Sequence, residues 1–417
     1  MKSLKAQLKR LAVFVFFFFN SLGLPSPLLW TNFGSLFYWR VYLKKRVLWL
    51  YGLLALLFLI YVPIHLHHGV DLTAYFKSLL VYLFILFSIP AVHYFLQDQK
   101  EQFPFYFQQI SIFSILLFMI SLGLLFFDID LLWKPHNFGN GKDIFFRFQA
   151  LSYEPSYYAI LMSPLMFYFL FKAIFDLSAK HLILLSCISL PVLATVSFGF
   201  LGVFFLSLIV GLVLSSIIHR YVLKKLGVVL LLLSIGLTVV MFKVDVLYNR
   251  VVSIVHWQDD SINGRTKEAF FLANEMVEAK SRWFGIGHGQ IKILGEDYIR
   301  PFYKYEKENW PVVALPNAAA ETLAVFGYLG LLLRLFIQGF IFLRFRIHYN
   351  LFNLCLFLFL FIYQFMGSFY MSGTEIAFWV LCCTPLFPEF NFDRLKSGQL
   401  SPQASRSCNQ PRHGKRK

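Results

Sequence analysis

Apolar residues in this chain gather into unbroken runs of about 18 residues or more, divided by short polar clusters. Such runs have the length that an α-helix needs to cross a hydrocarbon layer of roughly 30 Å, and they lack the alternation of a barrel strand. The pattern predicts an all-α integral membrane protein. In chain order the expected spans are a hairpin of two short helices in 11–39, broken at the LPSP sequence, then 47–65, 72–96, 103–127 and 153–172. A pair in 181–218 follows, split at Ser197-Phe198-Gly199, and then 226–242, 317–343, 350–370 and 374–388. That is about 12 spans with both termini on the cytoplasmic side, an arrangement that puts every basic inter-helix cluster on that side. Lys2, Lys5, Lys9 and Arg10 before a Phe-rich run look like a secretory signal, but no small-residue cleavage site follows, so the run reads as an uncleaved first helix. Four regions result: an N-terminal transmembrane bundle (1–243), an extracytoplasmic loop domain (244–316), C-terminal transmembrane helices (317–389) and a basic, disordered cytoplasmic tail (390–417).

Composition sharpens this picture. The chain of 417 residues is 58% hydrophobic and only 14% charged, which sets it apart from soluble domains, and its net charge is +16. The basic residues are scattered between spans instead of forming one face, so they read as topology determinants and no nucleic-acid partner is expected. The interval 244–316 holds nine basic and ten acidic residues, net −1, as suits a segment outside the cytoplasm. Five cysteines imply neither a disulfide framework nor a zinc site. His65, His67 and His68, with Asp71 as the one nearby carboxylate, read as an interfacial loop, and no metal or other cofactor is expected.

Candidate chemistry centres on the stretch FFRFQALSYEPSYYAILMSP, residues 145–164. Pro155 suits a first helical turn and pushes Glu154 out of the α region, so Glu154 stands at a helix start with Arg147 a few residues upstream. Unpaired N–H groups and an arginine make an anion-friendly rim. In the long loop, Asn263 is expected to cap a helix whose apolar stripe is Phe270, Ala273, Met276 and Val277. The FGIGHGQ turn that follows, 284–290, comes after a helix and not a strand, which rejects a dinucleotide fingerprint; its glycines serve close approach of backbone to backbone or ligand.

Arg147, then Tyr153-Glu154-Pro155-Ser156 at a helix start, Arg265, the Gly285-x-Gly287-x-Gly289 turn, and Asn317 with Phe326-Gly327-x-x-Gly330, in this order, resemble the O-antigen polymerase and ligase superfamily. The resemblance implies a bacterial inner-membrane enzyme acting on glycans carried by undecaprenyl diphosphate at the periplasmic face. A flippase and a chain-length regulator are partners that it implies. Ligase-like members carry a His where this chain has Pro316 and often an Arg where it has Phe198, so the resemblance leans to the polymerase branch. O-antigen ligase and a flippase or transporter for the same lipid-linked substrate stay open as alternatives.

For that substrate the expected catalytic groups are Arg147 and Arg265, since a guanidinium binds phosphate oxygens bidentately and keeps its charge. Arg250, Arg282 and Arg300 stand in reserve as substrate-binding groups. Glu154, Glu321 and His288 are the candidate bases. The helix start and Arg147 make Glu154 an orienting partner of the arginine, whereas Glu321 lies one turn into an apolar span, where an ionisable residue is a functional candidate by default. His288 reads more readily as a loop histidine than as a base and is placed with Asn317 and Gly287, from the motifs of the resemblance, in the substrate-binding set, which Tyr157 joins from its capacity to stack on a sugar ring.

Overall fold

The computed structural model describes residues 2–19, 38–127, 129–137, 144–176, 178–218, 227, 248, 252–253, 256, 259–304, 313–369 and 372–397. The turn expected near residues 25–27, almost all of the span at 226–242, and most of the basic tail lie outside these residues. Helices dominate: α1 (Lys2–Phe19), α2 (Lys45–His67), α3 (Leu72–Gln99), α4 (Phe103–Phe126), α5 (Pro155–Asp176), α6 (Ala179–Ala194) and α7 (Phe198–Ile218) in the first part. After them come α8 (Ala269–Glu278), α9 (Ile291–Tyr303), α10 (Ala318–Arg344), α11 (Leu351–Tyr363), α12 (Gly373–Cys383) and α13 (Phe392–Ser397). Among the described residues six helices are long and apolar enough to cross a bilayer, namely α2, α3, α4, α5, α7 and α10. Three shorter apolar helices, α6, α11 and α12, accompany them.

The helix that begins at Pro155 is the axis of the bundle. Every residue of α5 from Pro155 to Phe175 is buried, as expected of a helix that is apolar all round, and it packs on α6, α7 and α11. Because lipid tails are as apolar as leucine, this packing is held by close contact and not by removal from water. Phe167 shows how: its ring stacks on Phe204 of α7 at 4.5 Å and meets Phe359 of α11 edge-on at 6.1 Å. The peripheral helices keep large side chains outward, among them Leu53, Leu59, Met119, Leu332 and Phe336.

Two expectations need revision. The polar loop before Glu154 contains an antiparallel hairpin, β1 (Trp133–Asn137) with β2 (Ile144–Phe148), in which Lys134 faces Arg147. Trp133 and Phe148 drive it: both are buried, their rings lie 5.4 Å apart, and Phe148 also meets Phe118 and Tyr158. Asn263, expected as a cap, instead sits within helical backbone, because Asp259 takes that role with its Oδ1 accepting from the Ile262 N–H at 2.9 Å. The helix from Asp260 then runs through a π turn, Gly264–Glu268, before α8.

The strongest departure from regular structure lies in α10. At Gly327 the backbone takes φ 68° and ψ −170°, a region open to glycine alone, and the helix breaks into two halves. Broken backbone in an apolar setting must find partners, and the glycine-rich turn supplies them. Ile286 and Gly287 N–H donate to the Ala324 and Val325 carbonyls at 2.8 and 3.1 Å, while Tyr328 and Leu329 N–H donate to the Arg282 and Trp283 carbonyls at 3.1 and 3.2 Å. The approach is possible only without a side chain at Gly285, where a Cβ would lie 2.5 Å from the Gly327 nitrogen and the Val325 oxygen. The loop helices share a core with the first half of α10, through Leu272, Met276, Ile286, Leu323 and Val325.

Gly285→Ala is therefore expected to destabilise the protein by about 2 kcal/mol or more. Gly202→Ala in α7, where a Cβ meets nothing within 4 Å, serves as the control. Thermal unfolding in detergent checks both; equal melting temperatures would refute the stitched break.

Candidate functional site

Strand alternation fixes the first arginine. With Phe148 turned into the core, Arg147 must face the opposite side of β2, where its Nε donates to the Thr195 carbonyl at 2.8 Å in the turn between α6 and α7. The hairpin before Glu154 and the turn at Thr195–Ser197 thus meet at one end of the bundle. Glu154 stands at the start of α5, its carbonyl accepting from the Tyr157 and Tyr158 N–H groups at 3.1 and 3.3 Å.

The second arginine reaches the same end by a different route. Arg265 lies in the π turn, a distortion that often re-aims a side chain at functional sites. Its carbonyl accepts from Asn317 Nδ2 at 2.6 Å, and Asn317 Oδ1 in turn caps α10 by accepting from the Ala320 N–H at 2.6 Å. Asn317 is fully buried, so its role is to fasten the Arg265 turn to α10 and not to touch a ligand. Tyr363, at the end of α11, lies within the electrostatic reach of Arg265, Glu154 and Arg147 together. Arg147 and Glu154 from one stretch of chain and Arg265 from another thus act electrostatically on one buried phenol.

Glu321 belongs to an adjoining group. Its Oε2 accepts from Ser368 Oγ at 3.0 Å, and it feels the charges of Glu375, Arg334 and Lys292. The two groups are joined by the α11–α12 connection: the Ala318 and Ala319 N–H groups at the head of α10 donate to the Gly367 and Gln364 carbonyls at 3.1 and 3.0 Å. The first-turn donors of α10 are thereby satisfied within the protein.

Other expected site residues lie elsewhere. His288 is buried among the rings of Phe326, Tyr82, Tyr75 and Phe58, 4.9 to 6.3 Å away, and neither ring nitrogen has a hydrogen-bond partner among the described residues. Burial pushes this imidazole down to about 3, so it is neutral near pH 7 and serves packing, not proton transfer. At Gly287 a Cβ would press on Tyr75 and His65, which marks a close approach of backbone to side chains. Tyr157 is buried, with its hydroxyl 2.7 Å from Thr374 Oγ1, and presents no face for stacking. Arg282 lies over the Tyr328 ring at 5.6 Å, Arg300 is held bidentately by Glu296 at 2.7 and 2.8 Å, and Arg250 is outside the described residues. Arg334 and Glu375, an ion pair between α10 and α12, and Tyr363 were not singled out from sequence. The first two did carry a signal, because ionisable residues inside apolar runs mark function by default.

Two outcomes follow for these side chains. Asn317→Ala should lower stability by about 1 kcal/mol through the lost cap and should also loosen the Arg265 turn, seen as faster proteolysis within 259–268. The His288 value lies below the ordinary 6.5, so protonation favours the unfolded chain and stability falls as pH drops from about 6.5 toward about 3. His288→Phe should remove part of that fall, which melting in detergent at pH 7 and pH 5 would reveal. The chain matches no protein-family model, no curated protein and no solved structure, so its likeness to the polymerase and ligase superfamily rests on motifs and their order alone.

Proposed function

We propose that this chain is a multi-pass glycosyltransferase of the O-antigen polymerase type, working at the periplasmic face of a bacterial inner membrane. Its substrates are glycans carried on undecaprenyl diphosphate. The observation that carries the reading is that Arg147, Arg265 and Glu154 all lie within electrostatic reach of buried Tyr363, in a chain rich in long apolar helices. A diphosphate leaving group needs fixed positive charge where its own charge grows; Arg147, with its Nε on the Thr195 carbonyl, and Arg265, on a turn tied to α10 by Asn317, supply it.

In the proposed reaction a hydroxyl of a lipid-linked repeat unit attacks the anomeric carbon of the growing glycan. The new C–O bond forms as the bond to the diphosphate breaks, and the lipid diphosphate leaves with the electron pair. Arg147 and Arg265 hold its oxygens, Glu154 orients the guanidiniums, and Glu321 takes the proton of the attacking hydroxyl and passes it by way of exposed Ser368 toward water. A flippase would deliver the repeat units and a chain-length regulator would set the end of the reaction. A second reading, a flippase for the same substrate, draws support from the broken helix α10 and the Arg334–Glu375 pair that joins it to α12, both features of transporters.

Deletion in the native host separates these readings. Loss of the long glycan ladder with one repeat unit still attached to its acceptor supports the polymerase, whereas loss of the single unit as well supports ligase or flippase. Arg147→Ala and Arg265→Ala should each slow chain extension by about 100-fold or more at unchanged membrane protein level, and normal ladders from both would overturn the arginine assignment. Glu321→Gln should slow extension comparably; an unchanged ladder would return Glu321 to a packing role.

A further inference from the structure

Glu321 sits in the first half of α10, and beyond the break at Gly327 the continuous backbone ladder that would fix this half against the second is gone. A side chain from the second half reaches back across the gap. Arg334 Nη1 donates to Thr322 Oγ1, next to Glu321, at 3.3 Å. Its Nε donates to Gln364 Oε1 at 2.7 Å, and its Nη2 is ion-paired with Glu375.

Each of these partners stands on an element that borders the site. Gln364 follows Tyr363, its carbonyl accepts from the Ala319 N–H at the head of α10, and its amide is locked by reciprocal bonds with Gln338 at 2.9 and 3.0 Å. Glu375 adjoins Thr374, which holds Tyr157 of α5. Thr322, Gln338, Gln364 and Glu375 are all buried, so the bonds act in a low-dielectric setting where an unpaired member is costly. A lysine in place of the planar guanidinium has no such fork of fixed donors.

We infer that Arg334 is a positioning residue: its guanidinium clamps the half-helix bearing Glu321 to the α11–α12 connection and to α12, and so sets where the base meets the acceptor hydroxyl. The inference rests on the proposed polymerase reading. It assigns Arg334 no contact with substrate.

The test uses membrane vesicles carrying the full chain and, as substrate, the lipid-diphosphate-linked single repeat unit that accumulates in a strain lacking it. Extension rate is followed against substrate concentration. Arg334→Met alone strands Glu375 and is expected to lower protein level, so the informative variant is Arg334→Met with Glu375→Met, which removes both charges. That double variant should keep normal protein level and a KM within about 3-fold, while kcat falls at least about 10-fold. Thr322→Val, which leaves the ion pair intact, should lower kcat by about 3-fold at unchanged KM. A merely structural pair predicts normal kcat in the double variant once protein level is restored, and that result would overturn the inference. Should the double variant be missing from the membrane, a normal kcat for Thr322→Val overturns it equally. A wild-type chain that forms no ladder brings down the polymerase reading itself, a result distinct from either.

Discussion

Backbone polar groups cannot be left unpaired in an apolar bundle, and the break in α10 at Gly327 is where this chain meets that constraint most sharply. The carbonyls of Ala324 and Val325 and the N–H groups of Tyr328 and Leu329 find their partners in Arg282, Trp283, Ile286 and Gly287. One glycine opens the helix and a second, Gly285, lets the turn come close enough to close it. Through this contact the long interval before α10 becomes part of the bundle. Its helix α8 shares apolar contacts with Leu323 and Val325, and the π turn carrying Arg265 is tied to the head of α10 by Asn317.

The site inherits its geometry from that arrangement. Arg265 is delivered by the loop, Glu321 by the first half of α10, and Tyr363 and Ser368 by the chain that leaves α11. Arg147 arrives from the opposite direction, on a strand whose alternating partner Phe148 is fixed in the core beside α5. Helices thus frame a polar patch whose charged members come from a strand, a turn, a π turn and a helix head. This is the economy expected where charge must be presented at the edge of an apolar bundle.

Some of the site was legible because local rules decide it. The Glu154-Pro155 helix start follows from the fixed φ of proline, and the turn at Ser197 follows from a run too long for one span. Other positions were misread because a sequence motif does not say which way it faces. His288 sits in a glycine-rich turn that looks like a ligand loop, yet its ring is enclosed by Tyr82 and Phe326, and the neighbouring Ile286 and Gly287 N–H groups donate to α10. Asn317 has the look of a binding residue and acts as a cap and a tether. Asn263 lost its expected capping role to Asp259, four positions earlier, a shift that local propensity does not resolve.

Hydropathy by itself determined that the chain is helical and built for a bilayer, since runs of that length and apolarity have no other stable solution in lipid. Residue chemistry together with the motif resemblance nominated Arg147, Arg265, Glu154 and Glu321. Only the tertiary structure decided which of the nominated groups meet, because convergence around Tyr363 depends on a strand register, a π turn and a cap separated by long stretches of chain. It also decided that α10 is two half-helices spanned by Arg334. A lone glycine in an apolar run reads as a tolerable helix residue until another segment is close enough to take over its broken hydrogen bonds.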